Sequence, residues 1–470
     1  MLAGAGVTIR LPLLLPAPPA GVQPTSAARH SKTNSRTKRR STSTAAARVG
    51  SGRCHKRMIT LMAVLGATIS AVKIRAVTLG LDLPVPEVVA APFEAAARFL
   101  TAAKDAFQAL GVEVQTTRVA GPDLDKTLAT LGVDGLASWT GPTEAAARAA
   151  GIDFLSFGRL PGTAHEVVAT HVAPILAAGE VGFLSADLID GGLPSVAMAG
   201  ACAHAVKQLA QSTPRGFGNL RFAATAHCPP NIPFLPAAYH VGGVARFSIA
   251  VQAADVVVEA LSGPGGMSEI EDRLVRALEV AAEPVERVAE DLAQRHGYAF
   301  VGIDLSPAPF PSDDVSIGGA VEHAGVDRFG APGTLYVAAM ITRAIRRTKI
   351  SRCGFSGLML PVLEDSVLAR RAGERPSSLH ELLLYSAVCG TGLDTVPLPQ
   401  DISEAELAGA YLDVAALSLA LNGKPLTARL LPVPDADAGD LTTYSFDYFQ
   451  NTRVLPAADA GASGVLARGQ

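Results

Sequence analysis

Past residue 72 the chain alternates short runs of aliphatic and β-branched residues with longer Ala-rich stretches in which Ala, Leu and Phe recur at helical spacing. Residues 74–81 read as a strand, 86–110 as an amphipathic helix and 112–118 as a second strand. The same alternation continues, with strands expected at 152–157, 181–184, 223–226, 247–251, 299–304 and 354–360. Strand, helix, strand repeated in this way implies parallel strands joined by crossover helices, so the fold class is α/β. The clearest helix spans 268–296. Ser268 and Glu271 have capping-box spacing at its start, and Arg295, His296 and Gly297 form a basic, glycine-terminated end. No repeat of fixed period interrupts 71–455, and a single large domain is the simplest organisation.

Charge changes the picture at the N-terminus. The formal net charge is −3, yet the first acidic residue is Asp82. Thirteen of the 40 basic residues precede it, which leaves the rest of the chain near −16. So acidic a body does not suit a phosphate backbone, and a nucleic-acid partner is not expected. Residues 1–70, rich in Arg, Ser, Thr and Ala, have the composition of a disordered organelle-targeting peptide, with a plastid favoured over a mitochondrion. A basic tail around Lys38, Arg39 and Arg40, or an untranslated leader, would show the same bias. The apolar run 59–72 is too short to span a bilayer comfortably, so no stable membrane insertion is expected. Residues 456–470 read as a disordered tail. Five cysteines (Cys54, Cys202, Cys228, Cys353, Cys389) fit neither a disulfide framework nor a zinc pattern.

Four segments concentrate Gly, Pro and polar residues where strands should end. The first, 225–240 (TAHCPPNIPFLPAAYH), is a proline-stiffened loop that would fix the directions of His227, Cys228, Asn231 and His240, either around a ligand or as an internal staple. In 301–310 (VGIDLSPAPF), Asp304 falls where a strand meets its loop, a place for ligands in parallel sheets and equally for a turn cap. The segment 353–365 (CGFSGLMLPVLED) ends in Glu364 and Asp365. These are candidates for general base or cation ligand, or acids stabilised at the start of the next helix. In 384–399 (LYSAVCGTGLDTVPLP), Cys389 precedes a Gly-Thr-Gly turn that would present it at a tip, with Asp394 five residues on. Asp401, Ser403 and Glu406 then look like a capping box.

With 426–434 (LTARLLPVP) and 446–455 (FDYFQNTRVL), the segments 233–240, 353–365 and 387–397 resemble the domain-of-unknown-function 711 family over about 73–455. Gln400 and Asp435 stand where that family usually has glycine. The resemblance implies a glycyl-radical-enzyme-like α/β barrel of about ten strands in two parallel halves, with the Cys389 loop inside. Radical chemistry is not expected. The C-terminal stretch Arg453-Val454-Leu455-Pro456 lacks the glycine it needs.

Two functions stay open. In one, an enzyme acts on a small polar metabolite, with Cys389, Asp394 and Asp304 catalytic and Arg429, His240, Asn231, Glu364 and Asp365 binding substrate or a divalent cation. In the other, the protein binds a metabolite as a sensor, and Cys389 is a small buried hydrophobe. No cofactor fingerprint is present, and homo-oligomerisation is left open.

Overall fold

The computed structural model describes residues 72–374, 378–458 and 460–469, all within one unit, 68–470. The expected targeting peptide lies outside the described residues. Strands β1 (Lys73–Gly80), β2 (Val114–Ala120), β3 (Phe154–Leu160) and β4 (Gly182–Asp187) are followed by a small hairpin, β5 (Ile189–Asp190) and β6 (Leu193–Pro194). Then come β7 (Phe222–Ala226), β8 (Arg246–Gln252), β9 (Ala299–Asp304), β10 (Gly392–Leu398) and β11 (Leu426–Pro432). Nine of these form one mostly parallel sheet in the order β10-β11-β7-β4-β3-β2-β1-β8-β9.

The sheet has three blocks. The central five strands, β1, β2, β3, β4 and β7, run in one direction, with β8 and β9 antiparallel to them on one side and β10 and β11 on the other. Each parallel step is made by a helix, as Ala91–Ala109 makes it from β1 to β2 and Met267–His296 from β8 to β9. Phe99 of the first of these packs edge-on against Phe247 of β8 at 5.0 Å. Strands covered on both faces lose the alternating pattern, and every residue of β7, β10 and β11 is buried.

Several boundaries differ from the sequence expectation for identifiable reasons. The long helix begins one residue earlier, at Met267. Glu269 accepts from the Gly266 N–H, while Glu271 is taken by Arg343 and Arg347. Segment 354–360 is not a regular strand: its backbone turns to positive φ at Gly354 and Ser356. The residues flanking it nevertheless touch both outer strands of the sheet, through parallel bridges from Arg352 to Ile303 and from Pro361 to Asp394. The second glycine of the stretch read as a turn instead opens β10. Gly392 has φ 105°, and a side chain there would press on the Thr427 carbonyl of β11. The tail read as disordered carries a short helix, Ser463–Leu466, and the Ala462 N–H donates to the Ala405 carbonyl. Among the described residues, no helix is long and apolar enough to cross a membrane.

The two departures from the family's glycines meet each other. Asp435 has φ 57°, the left-handed region that glycine adopts without strain, and its N–H donates to the Gln400 side-chain oxygen at 3.2 Å. Asp435→Gly is expected to stabilise the protein by about 0.5–1 kcal/mol. Chemical denaturation checks this, and a lowered midpoint would show that the Asp435 side chain has a role of its own.

Candidate active site

Three of the sequence candidates, Glu364, Asp394 and Arg429, come together in one buried ion network. Asp394 lies in β10 and Arg429 in the adjoining β11, so the Arg429 Nε reaches Asp394 Oδ1 at 2.7 Å. The other arm of the same guanidinium reaches Glu364 Oε1 at 3.0 Å. Glu364 then passes the network on, because its Oε2 accepts from Arg75 of β1 at 2.5 Å. Phe234 of the proline-rich loop covers Arg429, with the guanidinium 5.5 Å from the ring centre. Tyr448 lies 5.7 Å from the Arg75 guanidinium in the same manner.

Arg118 of β2 completes the cluster. Its guanidinium donates to the Thr116 hydroxyl at 3.0 Å and the Pro233 carbonyl at 3.4 Å, and lies 5.8 Å from the Phe154 ring centre. Those partners are neutral. Burial and the neighbouring Arg75 push its pKa down to about 9, with Glu364 opposing. Exposure is graded across the cluster: the Arg75 side chain is 21% exposed, Glu364 and Arg429 are each 6%, and Asp394 is 0%. Arg118, like Arg75, is half-buried, so these two form the less enclosed side of the cluster and Asp394 its most enclosed end.

Asp394 combines two unusual features. Oδ1 is held by Arg429, while Oδ2 has no hydrogen-bond partner among the described residues although it is buried. Burial pushes the carboxyl up to about 6 against the pull of Arg429, and the nearby Glu364 adds to the rise.

The remaining candidates are placed elsewhere. Asp304 is a staple: its carboxylate accepts N–H groups from Ser306, Phe355 and Ser356 at 2.9–3.0 Å, pinning 353–357 to the end of β9. Asp365 accepts from the Ser316 hydroxyl and from the N–H groups of Ile317, Gly318, Val367 and Leu368. It thereby caps the helices Ile317–His323 and Ser366–Glu374 at once. Burial raises both acids, and their donors oppose the rise. His240 and Asn231 pair with each other at 2.8 Å beside Gly80 and Gly121, and burial pushes the imidazole down.

Cys389 is fully buried within the principal apolar core, just before β10. Its loop is wedged closely, with the Gly390 N–H on the Leu358 carbonyl at 2.6 Å and no room for a side chain at Gly390 against Gly357. Among the described residues, no hydrogen bond joins its sulfur to Asp394 or Arg429. Lys424, whose ammonium donates to the Ser386 and Ala387 carbonyls, is its charged neighbour.

Sequence reasoning missed Arg75, Arg118 and Tyr448. The available signal was an arginine within each of two predicted strands. It also missed Arg159, which bridges Asp123 and Asp187 at 2.5 and 2.8 Å at the C-terminal strand ends and stacks 4.3 Å over Tyr239. Among the described residues, that arginine has two acids in ion-pair contact and Arg118 has none, so the Arg118 cluster is the stronger ligand site. A separate groove of about 600 Å³ between the helices Leu379–Ser386 and Glu404–Ala420 is lined mainly by Ala, Leu and Gly and includes none of the cluster residues. Among the described residues, no group of three or more His, Cys, Asp or Glu is placed to hold a metal ion.

Comparison with known proteins agrees with the resemblance seen in the sequence. The family model "Uncharacterised ACR (DUF711)" matches residues 68–446, leaving the basic N-terminal stretch outside. A UPF0210 protein of Pyrobaculum arsenaticum is 38% identical over 236 residues, 47% of this chain and 51% of its own length. The UPF0210 protein MK1214 of Methanopyrus kandleri is 32% identical, over 51% of this chain and 54% of its own. One from Bifidobacterium adolescentis is 27% identical, over 57% and 60%. The aligned part thus spans about half to three-fifths of each relative. These relatives are archaeal and bacterial, and they lend no support to the plastid expectation. With the match covering most of its length, the chain belongs to the Uncharacterised ACR (DUF711) family.

Proposed function

We propose that this protein is an enzyme that binds a small polar metabolite against Arg75, Arg118, Glu364, Asp394 and Arg429, and that Asp394 gives or takes a proton. The observation carrying this reading is the free, buried Oδ2 of Asp394 on a carboxyl already oriented by Arg429. Holding Arg429, Glu364 and Asp394 away from water is costly, and such clusters concentrate at functional sites. Cys389 is the proposed second reacting group, by analogy of fold. The bridges from 352 and 361 to β9 and β10 support reading that segment as an irregular tenth stave closing a barrel. The basic stretch before residue 72 is read as a sorting peptide on composition alone.

A non-catalytic binding protein is the second reading, favoured by the complete burial of Cys389 in apolar surroundings. Incubating the protein with a mixture of small metabolites and following their masses separates the two. The enzyme reading expects one compound to be consumed by wild type and spared by Asp394→Asn. A compound retained unchanged, and equally well by both, would establish the binding protein.

The same variant tests the state of Asp394. Its folded pKa lies above the unfolded value, so the folded protein holds the extra proton between about pH 4 and about 6. Stability is expected to fall as pH rises through that window, and Asp394→Asn is expected to remove that part of the slope.

A further inference from the structure

We propose that the ligand of this site is a small oxyanion, a carboxylate or phosphate, received at the less enclosed side of the cluster by Arg118 and Arg75. This deepens the proposed function and rests on the same site.

Charge balance is the first argument. Arg75 and Arg429 share Glu364 and Asp394 as counter-ions, but among the described residues Arg118 contacts a hydroxyl, a carbonyl and an aromatic face and makes no ion pair. Three guanidinium groups against two carboxylates leave at least one positive charge uncompensated, in a chain whose residues beyond the basic start sum to near −16. Such an excess is local and enclosed, so it is not a property of the general surface.

Chemistry and position supply the second argument. A guanidinium presents paired N–H donors that fit the two oxygens of a carboxylate or phosphate, and arginine keeps its charge where lysine would lose it. Arg118 and Arg75 are the members of the cluster that keep exposed surface. A ligand oxyanion there would join the same charge cluster as Asp394, whose Oδ2 has no hydrogen-bond partner among the described residues. Neutral polar ligands would leave the Arg118 charge unanswered, which disfavours them.

The test titrates the full-length protein with inorganic phosphate, malonate and uncharged malonamide at constant ionic strength, by calorimetry. Wild type is expected to bind at least one of the two anions saturably and malonamide not at all, the tighter anion identifying the source. Arg118→Met keeps the apolar stem and removes the charge. It is expected to weaken anion binding at least tenfold and to raise the ligand-free melting temperature, because an unpaired enclosed cation is removed. A residue with only a structural role would instead melt lower and leave binding intact, which would overturn the inference. Should the variant not fold, wild type still decides: the bound anion is expected to protect Arg118 from phenylglyoxal, read by peptide mass, and no protection overturns it. Absent anion binding with Asp394-dependent turnover intact sinks this inference alone. Anion binding without turnover sinks only the enzyme reading.

Discussion

Arg429→Ala is expected to destabilise the folded protein by about 3–5 kcal/mol at pH 7, the loss typical of removing one partner from a buried ion pair. The guanidinium touches Asp394 and Glu364 together, and both side chains are at most 6% exposed. Without it, among the described residues, no cation is left within hydrogen-bond distance of Asp394, and Glu364 keeps Arg75 alone. The Asp394 carboxyl would then be pushed further up, so the folded variant binds a proton that its unfolded chain releases. The deficit should therefore shrink as pH is lowered from 7 toward 5. Adding Asp394→Asn to Arg429→Ala should recover part of the loss, because the worst-placed charge is gone. Chemical denaturation of the four proteins at two pH values reads all three expectations. A pH-independent deficit under about 1 kcal/mol would mean that the network contributes little to the fold.

Asp365→Ala should be nearly as damaging, by about 3 kcal/mol or more, through a different cause. Five donors converge on that carboxylate, four of them backbone N–H groups at the starts of two helices. Those N–H groups have no intrahelical acceptors, and removing their shared partner leaves them buried and unmet. Asp365→Asn should not rescue the loss, since the amide would turn N–H groups toward N–H groups. Comparison with Asp313→Ala, at a neighbouring exposed acid 63% accessible, isolates the effect of burial: that change should stay within about 0.5 kcal/mol. Equal losses at the two positions would refute the capping account.

These two acids show how far residue type alone could be read. Glu364 and Asp365 are adjacent and looked alike as candidate bases. The structure gives one to the ion network and the other to two helix caps, because successive side chains leave the backbone in different directions. Asp304 likewise stood at a strand end, where ligands and caps are equally at home. Only the fold brings the N–H groups of Phe355 and Ser356 onto it.

What the sequence determined by itself was whatever depends on neighbours along the chain. The alternation of apolar runs and amphipathic stretches located β9 to the residue, at Ala299–Asp304, and the long helix to within one, with Gly297 in the left-handed conformation at its end. Spacing also located the capping box of Ser403 and Glu406. The tertiary structure decided what depends on partners distant in sequence. β10 and β11 were hidden because their glycines and prolines resemble turns, yet burial on both faces and pairing with each other override that local preference. Glu364, Asp394 and Arg429 were legible as candidates, but Arg75, Arg118 and the assembly of the five were hidden for the same reason. Arg75, Arg118, Glu364, Asp394 and Arg429 are scattered over more than 350 positions and become one cluster only when the sheet brings β1, β2, β10 and β11 onto a common interior. Local propensity acts over a few residues, whereas a buried charge is satisfied by whatever the fold places against it.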